Sequence, residues 1–432
     1  MNKLKVALVC SFSNAKVREH LPLGDRKLYN IIRRCFGLST SSGGYGDVAG
    51  WDTYMIEQLR KRDDIDLTVI SAHSGLKRLK CSFELEGVHY HFVKTEYATG
   101  LKHLIPSPAL WHRLNPMRPI VRRLVKQTKP DVIALIGAEN PHISGTVLGI
   151  DGIPLIVKCQ TIYNNPERKA KTGVYDEKNA YVERLILENL KYVSVTSKTH
   201  EKLFRKMNNT AINFKWSLGN MLPEVNGINK EYDYANFALH MIPSKGYTDL
   251  VNAMAIVIRE YPNAILNLVG SGTEEYHNEL NNLIDKLGIK HNVVFTPFFE
   301  RQEDLFQHLM KVRFAVLPCK LDYVASTIRQ AMHYELPVVC YETEGTITLN
   351  QDKECVLIAE NSNPTDLADK MIQLLSDKNL EARLRKNAKE YAARWSDDEK
   401  ITGQMVANFK AVIDNYKNGT PVPSELLYNP EQ

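Results

Sequence analysis

The sequence predicts an α/β protein built from two doubly wound parallel-sheet domains. Its 432 residues exceed what one ordinary hydrophobic core accommodates. Short apolar strand-like runs alternate with amphipathic helical stretches, first within residues 1–220 and again within 221–395. Runs such as Val132–Ile136 and Phe314–Leu317 are continuously apolar, which is typical of strands buried on both faces of a parallel sheet. Between the halves, the polar stretch Gly219–Tyr234 predicts a linker.

Each element follows from local periodicity and from the residues that flank it. The predicted strands of the first half are Val6–Cys10, Leu67–Ser71, His89–Val93, Val132–Ile136, Leu155–Val157 and Val193–Thr196. Those of the second half are Phe237–Leu239, Ile265–Val269, Val293–Phe295, Phe314–Leu317 and Pro337–Cys340. The predicted helices are Val48–Lys61, Asn179–Leu190, Thr248–Arg259, Glu274–Lys286, Asp304–Met310 and Ser326–His333.

After Leu357 the chain is predicted to be almost wholly helical, with helices at Pro364–Leu375, Leu380–Arg394 and Asp397–Tyr416. Ser396 is the expected N-cap of the last helix. Residues 396–432 would form a C-terminal helix and tail that packs back on the N-terminal domain. The tail from Asn418 carries glycine and proline, so we expect it to be loose.

Composition indicates a soluble, cytoplasmic protein. Hydrophobic residues make up 44% of the chain and charged residues 24%, and no apolar run approaches the roughly 20 residues that span a bilayer. The seven cysteines are scattered, and none forms a CxxC pair. This pattern predicts reduced thiols, with neither a zinc site nor a disulfide framework.

Charge is distributed unevenly along the chain. Residues 1–230 hold 35 basic and 21 acidic side chains, whereas the remainder holds 20 and 29. Within 101–129, lysines and arginines alternate with leucines, isoleucines and a tryptophan, a pattern that fits either an anionic membrane surface or a solvated helix face. No nucleic-acid-binding motif accompanies this charge, so we expect no nucleic acid as partner.

The densest pattern of chemically useful residues lies between Leu317 and Gly345. A buried strand ends at Pro318, a polar loop follows, and Ser326 is placed to cap a helix that carries Gln330. The amide N–H groups at such a helix start suit a diphosphate, which makes Ser326 and Thr327 candidate ligands. Asp322 and Gln330 flank the helix start, where they could bond hydroxyl groups of a sugar and a ribose.

This segment resembles the donor loop of the family-4 (group 1) retaining glycosyltransferases. That loop has Glu-x7-Glu, then Ala-Met and Gly-x-Pro-Val-Val. Here Asp322 and Gln330 keep the spacing with Ala331-Met332 and Pro337-Val338-Val339 in order, although both acidic positions are changed and no glycine precedes Pro337. The resemblance implies the GT-B fold, with two Rossmann-like domains that face a central cleft. It places Asp322 near the donor sugar and Gln330 on the ribose.

A second match lies upstream, where Phe237–Gly246 is similar to the family's Gly-Arg-Leu-x3-Lys-Gly. Lys245 stands at the lysine position and His240 at the arginine position. In that family these cations neutralise the donor diphosphate, whose charge grows as the sugar leaves. We therefore expect Lys245 and His240 to bind the diphosphate, and we assign Lys245 and Asp322 to the catalytic centre.

Glycine-rich and aromatic segments complete the predicted donor site. Gly43 and Gly44 precede the helix expected near Val48, and the resemblance implies that this loop faces the diphosphate across the cleft. Phe298 and Phe299 follow a predicted strand and are candidates either for the nucleotide-base pocket or for the core. The Gly270-Ser-Gly272 turn is by itself a weak nucleotide-binding pattern.

The acceptor side has less distinctive candidates, namely Glu139, His142 and Gln160. The family often has a histidine after the strand equivalent to Leu155–Val157, but Cys159-Gln160-Thr161 stands there. No protein base is assigned, because the leaving phosphate can deprotonate the acceptor on the same face. No catalytic metal or cofactor is expected beyond the nucleotide diphosphate sugar itself, UDP- or GDP-linked, as co-substrate.

The resemblance implies transfer of a hexose-type sugar to a glycan or polyprenyl-diphosphate-linked acceptor, in cell-surface polysaccharide synthesis at the inner face of the cytoplasmic membrane. Two alternatives remain. One is a sugar-nucleotide 2-epimerase on the same fold, and the other is a non-catalytic homologue that binds a saccharide or a partner. Loss of activity would be accompanied by substitutions such as those at positions 240, 322 and 330. However, all three changes are chemically mild, and the retained Lys245 and glycine loop favour an active enzyme.

Overall fold

The computed structural model describes residues 3–24, 45–95, 104–168, 175–195, 197–227, 229–321, 324–393 and 397–429. These residues form two separate β-sheets, one from each half of the chain. Both sheets are covered by helices. The predicted fold class is therefore confirmed, while the boundaries at 220 and 395 stay predictions.

The N-terminal sheet has eight strands in the order β3-β4-β2-β1-β5-β6-β7-β8. They are β1 Leu4–Val9, β2 Ile65–His73, β3 Lys80–Leu85, β4 Val88–Lys94, β5 Val132–Ile136, β6 Leu155–Lys158, β7 Tyr192–Ser194 and β8 Ile212–Asn213. All neighbours are parallel except β3 and β4, which form a hairpin. Strand β3 was not predicted because its side chains alternate between exposed and half-buried positions, without a continuous apolar run.

The C-terminal sheet has six parallel strands in the order β11-β10-β9-β12-β13-β14. They are β9 Tyr232–His240, β10 Leu266–Ser271, β11 Val293–Thr296, β12 Val312–Leu317, β13 Val338–Tyr341 and β14 Leu357–Ala359. Because β9 begins at Tyr232, the predicted linker Gly219–Tyr234 runs too far into the strand. Strand β14 was also missed in the segment predicted to be helical.

Thirteen α-helices lie in the described part of the chain. They are α1 Ala15–Arg18, α2 Gly50–Arg60, α3 Pro108–Leu114, α4 Met117–Thr128, α5 Glu177–Asn189, α6 Lys198–Met207, α7 Tyr247–Val257, α8 Glu274–Leu287, α9 Gln302–Leu309, α10 Ser326–His333, α11 Pro364–Ser376, α12 Lys378–Ala393 and α13 Asp398–Asn418. None of the described helices is long and apolar enough to cross a membrane.

Alternating residues of β1 show how the N-terminal sheet is buried on both faces. Val6 and Leu8 belong to one apolar cluster, whereas Ala7 and Val9 belong to another on the opposite side. All four side chains are 1% exposed or less. Burial of this kind requires helices on both faces, which is the doubly wound arrangement.

The C-terminal helix α13 packs against the N-terminal domain. Phe409 is fully buried and meets Trp216 edge-on, with ring centroids 5.5 Å apart. Asp397 is its N-cap and accepts a hydrogen bond from the Lys400 N–H at 3.0 Å. The expectation that Ser396 caps this helix is therefore wrong, and Ser396 itself lies outside the described residues.

The segment after α13 is tied to strand β8, so the expectation of a loose tail is wrong as far as residue 429. The Lys215 N–H donates to the Leu426 carbonyl at 2.8 Å. The Tyr428 N–H donates to the Asn213 carbonyl at 2.9 Å. These backbone bonds extend the edge of the N-terminal sheet and fix the tail to it.

Candidate active site

Segments that follow strands in one domain contact segments that follow strands in the other. The Asp47 N–H donates to the Glu300 carbonyl at 3.0 Å, and the Thr199 N–H donates to the Glu344 carboxylate at 3.0 Å. The carboxyl edges of the two sheets therefore face each other across a cleft. Ligands of open parallel sheets bind at this edge, so both domains can contribute to one site.

Three helices that begin at this cleft have N-cap residues without a hydrogen-bonding side chain. They are α2 after Ala49, α7 after Gly246 and α10 after Ala325. The predicted cap Ser326 is instead the first residue of α10, so that prediction is wrong by one position. N–H groups of an uncapped first turn are available to an anionic ligand at α7 and α10, whereas the first turn of α2 carries the buried carboxyl group of Asp52.

Lys245 lies in a short turn between β9 and α7 that is shaped by Gly246. Gly246 has φ +75°, and a Cβ there would stand 2.3 Å from the Pro318 carbonyl oxygen. The Lys320 N–H also donates to the Ser244 carbonyl at 3.0 Å, which ties this turn to the end of β12. Because β9 and β12 are neighbours, Lys245 and the start of α10 lie at adjacent strand ends.

The other predicted donor-site residues differ in how far they are exposed to solvent. His240 ends β9 and is exposed, whereas Gln330 is 7% exposed within α10. Ser326 and Thr327 form the first turn of α10. Asp322, Gly43 and Gly44 lie outside the described residues, so their roles stay predictions.

The two aromatic candidates lie at the cleft and both are half-buried. The Phe298 ring packs on Gly46 so closely that any Cβ at position 46 would overlap the ring. Phe299 lies against the His308 ring, with centroids 5.2 Å apart. Phe298 therefore makes an interdomain contact, which neither the base-pocket nor the core interpretation included.

The acceptor-side candidates lie near the ends of β5 and β6. The backbone turns at Gly137, with φ +81°, and the Glu139 carboxyl oxygens lie 3.2 Å from where a Gly137 Cβ would be. Burial raises the pKa of Glu139, while the backbone N–H of Glu139 and the charge of Arg168 oppose the shift. The His142 ring meets buried Trp111 edge-on at 5.6 Å, and Gln160 is partly exposed after β6.

Residues 221–391 match the family model of the glycosyl transferases group 1. This match lies within the C-terminal half of the chain, which is therefore similar to the group 1 glycosyl transferases. An uncharacterised glycosyltransferase of Methanocaldococcus jannaschii is 24% identical over 187 residues, which are 41% of this chain and 50% of that protein. The N-acetyl-alpha-D-glucosaminyl L-malate synthase of Bacillus anthracis is 26% identical over 40% of this chain and 44% of the enzyme. The chain thus spans about half the length of the curated relatives it matches.

Solved glycosyltransferase structures match nearly the whole chain. Sucrose-phosphate synthase from Thermosynechococcus elongatus has a TM-score of 0.67 at 16% identity, covering 94% of this chain and 98% of that one. Anabaena HepE in complex with UDP and glucose has a TM-score of 0.63 at 16% identity, covering 94% and 99%. These similarities, at 16% identity, show the GT-B fold.

Buried ionisable residues on the N-terminal side of this cleft were not predicted. Lys158 ends β6, is 2% exposed and donates to the Ser194 hydroxyl at 3.3 Å. Burial lowers its pKa to about 7, partly opposed by Cys159. Glu183 accepts N–H bonds from Tyr163 at 2.6 Å and Asn164 at 2.7 Å, and burial raises its pKa to about 7. A lysine at the end of an apolar run was the one sequence pattern that could have indicated Lys158.

Each of the two domains also supplies a carboxylate to a helix N-terminus of the other domain. Asp47 accepts the Gln302 N–H at the start of α9 at 3.1 Å, and Arg18 pairs with Asp47 at 2.8 Å. Glu344 accepts the Thr199 N–H near the start of α6. These two interdomain caps hold the cleft in the arrangement described here.

Proposed function

We propose that the protein is a retaining glycosyltransferase that moves a hexose-type sugar from a UDP- or GDP-linked donor to a glycan or lipid-linked acceptor. The observation that carries this proposal is the juxtaposition of Lys245 with the uncapped starts of α7 and α10 at adjacent strand ends. A lysine and two helix N-termini together supply positive charge for a leaving diphosphate without requiring a metal.

The proposed reaction uses these groups at the step in which the sugar–phosphate bond breaks. The acceptor oxygen attacks the anomeric carbon on the face that the diphosphate leaves, and the acceptor proton passes to the departing phosphate oxygen. Lys245 and the helix N–H groups stabilise the charge on the diphosphate. Solved structures of HepE with UDP-glucose support a nucleotide-diphosphate sugar as donor, since they share this fold.

Thermal unfolding with UDP, GDP, ADP and CMP, each in EDTA, tests the donor site. A nucleotide diphosphate at about 100 times its dissociation constant stabilises the folded state by about 2.7 kcal/mol. We expect one diphosphate to do so, and Lys245→Ala to weaken its binding about 10- to 100-fold, because a charge-assisted contact is lost. Binding that needs added divalent metal would contradict metal independence.

Lys286→Ala is the matched control, because Lys286 is exposed at the end of α8 in the same domain. It should bind nucleotide as the parent protein does. No stabilisation of the parent by any nucleotide would favour the non-catalytic homologue. Release of a free sugar with inverted C2 from a bound donor would favour the 2-epimerase.

We further propose that the segment around α3 contacts an anionic membrane, which fits a role in cell-surface polysaccharide synthesis. Leu104, Leu110 and Leu114 are 75%, 38% and 51% exposed beside Arg113. Arg118 and Arg122 donate to backbone carbonyls, so they contribute less to this surface than the sequence predicted. Exposed leucines beside arginine suit an interfacial position.

Co-sedimentation with phosphatidylglycerol and phosphatidylcholine vesicles tests this contact. We expect binding to the anionic vesicles alone, reduced about 10-fold by the double substitution Leu110→Glu and Leu114→Glu, because buried apolar area is lost and charge is reversed. Leu79→Glu, at a 59% exposed leucine elsewhere, is the control. Equal binding by both variants would exclude α3 as the contact.

A further inference from the structure

Two carboxyl groups on the N-terminal side of the cleft each have one oxygen without a hydrogen-bond partner in the described part of the chain. Asp52 lies in the first turn of α2, is 2% exposed, and no partner bonds its Oδ1 within the part of the chain described. Glu139 follows β5, and its Oε2 is likewise shielded from solvent without a partner there. Buried carboxyl oxygens are normally bonded, so two unpartnered oxygens in one cleft indicate a ligand that supplies donors.

The fold brings these two groups to the same place. Strands β1 and β5 are parallel neighbours, with Val9 paired to Leu135. Glu139 follows β5, and Asp52 interacts electrostatically both with Glu139 and with Cys10, the residue after β1. Both carboxyls therefore lie at the carboxyl edge of adjacent strands, where parallel sheets bind their ligands.

Backbone geometry holds the Glu139 side chain in place. Gly137 adopts φ +81°, which turns the chain as it leaves β5. The carboxylate then lies over Gly137 and interacts with the N–H groups of Ala138 and Glu139. One part of this carboxylate is thereby fixed by the backbone, and Oε2 remains for a ligand.

The charges around the pair determine which ligand it favours. Burial raises the pKa of Asp52, and the Glu139 charge raises it further; among the described residues no cation opposes the shift. Arg168 opposes the shift on Glu139 only. A ligand with hydrogen-bond donors or positive charge would stabilise both carboxylates, whereas an anionic group would repel them.

We infer that Asp52 and Glu139 are specificity-determining residues for the acceptor substrate. Their carboxylates accept hydrogen bonds from donor groups of that substrate, and they exclude a substrate that places a carboxylate or phosphate beside them. An ammonium group fits best, because it carries three donors and a positive charge and can serve both oxygens. Neutral hydroxyls rank second. This inference rests on the proposed glycosyl transfer, and it adds the class of acceptor.

Acceptor kinetics with three methyl glycosides test the inference. The glycosides of glucosamine, glucose and glucuronic acid present an ammonium, a hydroxyl or a carboxylate on one sugar frame. The donor is glucose linked to the nucleotide diphosphate that stabilises the parent protein, and release of that nucleotide reports transfer. We expect KM to rise in that order, with the glucuronide at least 10-fold above the glucosaminide. Asp52→Asn and Glu139→Gln should each raise the glucosaminide KM about 10-fold and reduce this discrimination, because a charged acceptor oxygen is lost.

The donor KM and the stabilisation by nucleotide should stay unchanged in both variants, since neither residue belongs to the diphosphate site. Asp66→Asn, at a partly exposed carboxylate on β2, is the matched control and should behave as the parent protein. Preference for the glucuronide, equal KM values for all three glycosides, or acceptance of none while nucleotide still binds would overturn the inference. If the parent protein bound no nucleotide at all, that result would instead overturn the proposed function.

Discussion

Replacement of Phe409 by alanine is expected to lower the free energy of unfolding of the N-terminal domain by about 3 to 5 kcal/mol. Phe409 is fully buried and meets Trp216 edge-on in a cluster that includes strand β1. Alanine would remove the ring contacts and leave a cavity that this packed sheet fills only in part. Urea unfolding followed by tryptophan fluorescence measures the change.

Tyr416→Ala is the control for this experiment, because Tyr416 lies on the same helix and is 43% exposed. It should change stability by less than about 1 kcal/mol. Equal effects of the two substitutions would show that α13 does not contribute a core to the N-terminal domain. A change in the slope of the urea transition would show that the two domains unfold separately.

Most strands and helices could be predicted from local sequence, because burial on both sheet faces produces continuous apolar runs. Val132–Ile136 and Ser326–His333 agree with the structure at both ends. Strand β3 escaped prediction because half of its side chains are exposed. The order of the tail beyond Asn418 could not be predicted, because it comes from backbone hydrogen bonds to residues in and next to β8, which no side-chain pattern indicates.

Lys245 was selected because of its position in the family pattern, and its role stays a prediction. The structure places it in a short turn that ends at Gly246, which has φ +75°. Asp52 and Lys158 could not be predicted, because burial and unpaired atoms depend on residues distant in sequence. Ala49 likewise adopts φ +56° at the start of α2, where glycine would have been the expected residue.

Substitution of Lys158 by methionine is expected to raise the free energy of unfolding at pH 6 by about 3 to 5 kcal/mol. The Lys158 amine is 2% exposed, and the one bond that it donates within the described structure is to the Ser194 hydroxyl. Burial lowers its pKa to about 7. Methionine has a similar length and carries no charge to desolvate.

The pH dependence has a definite sign. The unfolded chain keeps the Lys158 proton up to its ordinary pKa of 10.5, whereas the folded chain releases it near pH 7. Unfolding therefore takes up a proton between these values, and the destabilisation by Lys158 is full below pH 7 and disappears above pH 10.5. The stability difference between Lys158→Met and the parent protein should shrink over that range. Urea titrations at pH 6, 8 and 10 measure it.

Lys202→Met, at an exposed lysine of α6, is the control and should show no pH-dependent gain. A pH-independent gain in Lys158→Met would mean that the amine is already neutral at pH 6 and that only packing has improved.

A destabilising amine at the carboxyl edge of β6 requires a reason for its presence. Lys158 interacts electrostatically with Arg329 of α10, so its charge acts across the cleft at the helix that begins the predicted diphosphate site. A bound diphosphate would relieve the repulsion between these two cations and favour the charged amine. Nucleotide binding should then weaken in Lys158→Met while stability rises. Such opposite changes would show that the burial of Lys158 serves the ligand, because replacement of a purely structural residue would leave nucleotide binding unchanged.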